Sequence, residues 1–73
     1  MATYNGHKNW NHWNVSLWFN NDYGLYNYAR ETIRKCGSKD AAAKVIAQAL
    51  DGETTPDGAP YSKSSIRAAL VGM

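Results

Sequence analysis

From residue 23 onward the apolar positions recur at helical spacing; before it they fit two periods at once. Leu25, Ala29, Ile33 and Cys36 follow at i, i+4, i+8 and i+11, while Asn27, Arg30, Glu31 and Arg34 take the opposite side. Asn21-Asp22 offers this helix an N-cap, and Gly37 stands where a helix ends on a residue of positive φ. Ser38 then caps a third helix over Lys39 to Leu50. Its predicted buried arc is Ala42, Val45, Ile46, Ala49 and Leu50, with Asp40, Lys44, Gln48 and Asp51 facing water. Gly52 closes it. Residues 52–61 read as a loop, with Pro56-Asp57-Gly58 as a β-turn that has proline at its second position. Ser62 caps a short last helix with Ile66, Ala69 and Leu70 inward and Ser64 and Arg67 outward.

The segment from Asn9 to Asn20 is the ambiguous one. Trp10, Trp13, Leu17 and the flanking Trp18 fit one helical face, with Asn9 as cap. Trp13, Val15, Leu17 and Phe19 also alternate with Asn14, Ser16 and Asn20, as a strand would. A helix over about Asn11 to Asn20 is preferred, because the chain supplies no partner strand and a lone strand leaves its backbone groups unpaired. Residues 1–8, with Asn5-Gly6 as a turn signal, read as an irregular leader. The expectation is all-α: a small single-domain bundle, spanning 1–73, of three to four short helices around a tryptophan-rich core.

Composition supplies the reason for that core. Eight of the nine aromatics lie between Tyr4 and Tyr28, all seven asparagines precede residue 28, and Lys8 is the only formal charge before Asp22. A 73-residue chain is marginal unless its core side chains are large, and each indole can bury about 150–250 Å². Trp13 and Trp18 are therefore expected inside, with Trp10 equally able to sit at a surface. Replacing Trp18 with alanine is expected to cost about 3–5 kcal/mol. Asn14 shares its side of the helical wheel with Trp10, Trp13 and Leu17, and is the candidate for a buried amide that must find partners.

Site chemistry is sparse. One cysteine, Cys36, excludes an internal disulfide; it stands near a helix C-terminus, away from the dipole that would activate a thiol. His7, His12 and Cys36 match no zinc-ligand spacing. Ser62, Ser64 and Ser65 have no histidine near them in sequence, and no paired carboxylates stand in the aromatic region. Neither an enzyme nor a cofactor or metal is expected. The N-terminus has no basic region leading into an apolar run, and no stretch approaches the roughly 20 apolar residues that span a bilayer. A soluble, cytoplasmic protein is expected.

The run Asn9-Trp10-Asn11-His12-Trp13-Asn14-Val15-Ser16-Leu17-Trp18-Phe19-Asn20-Asn21-Asp22, continuing to Gly24-Leu25-Tyr26, resembles a signature of small uncharacterised proteins encoded by bacteriophages and plasmids. Thr55-Pro56-Asp57-Gly58, followed by Tyr61, looks like that family's second block. Members carry an acidic residue after the Asn-Asp pair, where this chain has Tyr23. The resemblance implies a mobile-element origin and a bacterial host, and it implies no activity.

Three functional readings remain. The first is a non-enzymatic accessory protein that binds a host or phage protein, for instance to inhibit a host enzyme or a defence complex. Trp10, Tyr23, Tyr28 and Arg34 are its candidate contacts, since Trp, Tyr and Arg favour interface anchors. The second is a nucleic-acid binder that uses Arg30, Arg34, Lys35, Lys39 and Arg67, although a net charge of +2 argues for little by itself. The third is self-association through exposed aromatics.

Overall fold

The computed structural model describes residues 9–71 and residue 73. The leader expected over residues 1–8, His7 included, lies outside them. Four helices follow in order: α1 (Trp10–Asn21), α2 (Tyr23–Cys36), α3 (Lys39–Ala49) and α4 (Lys63–Ala69). The all-α expectation holds, and no strand occurs among the described residues; only a single bridge pairs Thr54 with Pro60.

Each helix starts on a side chain that its sequence announces. The Asn9, Asp22, Ser38 and Ser62 side chains accept from the backbone N–H of His12, Leu25, Ala41 and Ser65, satisfying donors that have no partner inside the helix. Ser62 and Ser65 do this reciprocally. Gly37 ends α2 at φ 80°, with its N–H on the Ile33 carbonyl. Asp22 alone separates α1 from α2, so it terminates one helix and opens the next.

Residues 13–19, which the pattern left open between helix and strand, are helical. The ambiguity had a physical source: apolar side chains surround α1 on every side. Asn14, Val15, Ser16 and Phe19 turn inward.

The wholly buried large side chains are Phe19, Ile46, Ile66, Leu70 and Val15, packed with Ala29, Ala42, Ala43, Ala59 and Ala69. The tryptophan-centred core is therefore corrected. Trp13 and Trp18 are half-buried and Trp10 is exposed; none of the three is among the side chains packed on the core cluster. Alanines line the facing helices and leave the large interior volume to Phe19 rather than to an indole. Phe19 meets Tyr61 edge-on, with centroids 5.9 Å apart.

α1 packs chiefly on α4, and α3 lies against both α2 and α4. This placement also moves the α3 arc: Ala42, Ala43 and Ile46 are buried, whereas Val45 and Ala49 are exposed. A helix held between two neighbours centres its buried side on the residue between them, here Ile46.

Candidate functional site

Two side chains of α1 and a turn some forty residues later build one polar node. The Asn14 side-chain oxygen accepts from Thr55 Oγ1 at 2.5 Å, and its Nδ2 donates to Asp57 Oδ2 at 2.9 Å. One helical turn on, Trp18 Nε1 donates to the same carboxylate oxygen at 3.0 Å. Thr55 Oγ1 accepts in turn from the Ala59 N–H, while Gly58 N–H closes the turn on the Thr55 carbonyl. Asn14 is the buried structural amide expected of it, and no buried side-chain polar atom among the described residues lacks a partner. The amide and then the indole lower the Asp57 pKa, because both donate to the ionised form. The node fixes the loop. Asn14, Thr55, Trp18 and Asp57 Oδ2 are joined in one network.

Serine and histidine meet in space although they are distant in sequence: His12 Nε2 and Ser64 Oγ share a hydrogen bond of 2.9 Å between α1 and α4. The pair spans 52 residues, which is why local spacing gave no sign of it. Cys36 is a free, half-buried thiol. Among the described residues, no group of three or more His, Cys, Asp or Glu is placed to hold a metal ion.

The candidate contacts separate into two surfaces. At about 100° per residue, Tyr23, Asn27, Arg30 and Arg34 fall on one outward strip of α2, at i, i+4, i+7 and i+11. All four are exposed, Tyr23 at 81%. Arg30 lies over the Tyr26 ring, 5.7 Å from its centroid, and donates to the Tyr26 hydroxyl at 3.3 Å. Arg34 pairs with Glu31 at 2.6 Å. Both arginines line a shallow groove of about 370 Å³ whose apolar side chains are Ile33 and Met73. Tyr28 is exposed to a smaller extent and lies about 140° round the helix from Tyr23. Trp10 opens α1 and belongs to a different face.

The nucleic-acid set is more scattered. Lys35 stands about 100° round α2 from Arg34, Lys39 is half-buried at the start of α3, and Arg67 is half-buried on α4. Only Arg30 and Arg34 share a surface. A second groove, of about 500 Å³, sets Lys44 and Lys63 beside Asp51, with Ala47, Gln48, Tyr61 and Ser62. Its charges are mixed, and Lys63 already leans on Asp40 at 3.5 Å.

A family model described as a family of unknown function, DUF7249, matches residues 1–72. The chain belongs to that family. No curated protein and no solved structure matches it. In this DUF7249 chain the two sequence blocks noted above, the tryptophan-rich run and Thr55-Pro56-Asp57-Gly58, are the two halves of the Asn14–Asp57 node. Among the described residues no helix is long and apolar enough to cross a membrane.

Proposed function

We propose that this DUF7249 protein is a non-enzymatic accessory protein of phage or mobile-element type that acts by binding another protein. Inhibition of a host enzyme or a defence complex is its most concrete form. The observation that carries the reading is the outward strip of α2. A tyrosine and two arginines in register on one rigid helix have the composition of an interface centre, and helical placement limits the entropy lost on docking. Arg30 is already held against Tyr26, so its guanidinium is presented rather than searching. Arg30 and the Arg34–Glu31 pair beside the Ile33 and Met73 side chains fit a partner surface of mixed charge with an apolar residue at its middle.

A continuous basic track would favour nucleic acid instead, but Glu31 offsets Arg34, and Lys39 and Arg67 stand on other helices. The test is a pull-down from a bacterial host, comparing the parent with Tyr23→Ala/Arg34→Ala and with Val45→Ala on the far helix. Loss of the captured protein in the first variant alone supports the reading; equal capture by all three overturns it. A mobility-shift titration at two ionic strengths addresses the rival, for which binding must weaken steeply as salt rises.

A further inference from the structure

The outer side of α1 carries a ridge that the α2 strip does not use. With Asn14, Val15, Ser16 and Phe19 inward, the helical turn places Trp10, the half-buried Trp13 and Leu17 along the outer side at i, i+3 and i+7. Trp10 and Leu17 are 38% and 37% exposed, and Asn20 and Asn21 flank them on the same side. The geometry points to a second copy of this chain as the occupant of the ridge, in a two-fold pair with the two α1 helices antiparallel.

Three observations select a second copy over an unrelated protein. No residue from Asn9 to Asn21 is formally charged, so two such faces meet without the like-charge repulsion that a net charge of +2 sets elsewhere. The face also carries its own complementary hydrogen-bonding groups. Asn20 and Asn21 donate their Nδ2 groups to the Ser16 and Leu17 carbonyls of their own helix, and both are exposed side chains whose Oδ1 atoms are hydrogen-bond acceptors. Among the described residues nothing accepts from the indole N–H of Trp10 or Trp13; Trp18 alone of the three donates to one. Finally, the order of residues fits a two-fold axis. An axis midway between Trp13 and Leu17 sets Trp13 of one copy on Leu17 of the other, and Trp10 against the Asn20 amide, twice over, as an isologous interface requires.

Sedimentation of the full chain from micromolar to millimolar concentration tests this. A concentration-dependent monomer–dimer equilibrium is expected. Leu17→Asp places a carboxylate on each side of the axis and should weaken it by at least about tenfold. Trp10→Ala should weaken it as well, and both side chains are exposed enough for far-UV dichroism to show α1 intact. Tyr23→Ala, on the other face, should leave the dimer unchanged, which separates this inference from the α2 reading. A monomer at every concentration overturns the proposal. So does a dimer indifferent to Leu17→Asp and Trp10→Ala.

Discussion

Trp18 and Asp57 are 39 positions apart in sequence, and the indole N–H of the first donates to the carboxylate of the second at 3.0 Å. Asn14 reaches the same oxygen. The turn at Thr55–Gly58 is therefore held by α1 through charge-assisted bonds, and stability should follow the ionisation of Asp57. Its pKa is depressed in the folded chain. The carboxylate thus contributes stability above the ordinary aspartate value of 3.8, and that contribution is lost as the pH falls through the lower folded value. Urea midpoints measured from neutral pH into this acid range should fall for the parent. In Asp57→Asn that part of the fall should be missing.

Truncating Asn14 should cost more than removing an exposed amide. Asn14→Ala strips Thr55 Oγ1 and Asp57 of a buried partner, and an unsatisfied buried group costs about 1–3 kcal/mol. Chemical denaturation measures it. A double-mutant cycle with Thr55→Val should show coupling between the two sites, because they form one network.

The largest aromatic loss should come from Phe19, not from a tryptophan. Phe19→Ala empties the core beside Tyr61, at about 3–5 kcal/mol. Trp18→Ala, at a half-buried site, should fall below it. The two variants compared in one thermal or urea series decide the order.

Gly58 stands at φ 96°, and a methyl group there would meet open space. Gly58→Ala should therefore lose only the conformational term, about 1–2 kcal/mol for an L-residue in left-handed backbone. Far-UV dichroism should be unchanged while the melting temperature drops.

Tyr61 should ionise above the ordinary phenol range. Burial first, then the charges of Asp22 and Glu53, raise its phenol above the usual value of 10.0. Ultraviolet absorbance titration should show a phenol that ionises above 10.0 and that Tyr61→Phe removes. Because the folded pKa is raised, this ring favours the fold below its unfolded value and ceases to do so as the pH climbs through the folded one.

The helices were legible because their signals are local. A cap such as Ser38 or Ser62 bonds a backbone group three residues away, and the stripe through Leu25, Ala29 and Ile33 needs only its own periodicity. The Pro56–Gly58 turn was readable for the same reason; Asn14 is buried as expected, but beside Val15 and Phe19 rather than on a side of α1 buried together with Trp10 and Leu17. Of the proposed contacts, Tyr23 and Arg34 share a strip by simple helical arithmetic, and Trp10 does not join them.

The inward face of α1 was not legible, nor was the edge of the α3 arc that meets solvent. Both segments are apolar over so much of their circumference that periodicity offers several orientations of similar merit. The choice fell to how closely Ala29, Ala42, Ala43 and Ala69 let the helices approach. Phe19 fills the interior, while Trp10 is left exposed and Trp13 half-buried. The sequence by itself determined the caps on which α2, α3 and α4 start and the glycine on which α2 ends. Only the tertiary structure decided which side of α1 is core and which carries the ridge, because that depends on the volume left between helices far apart in the chain.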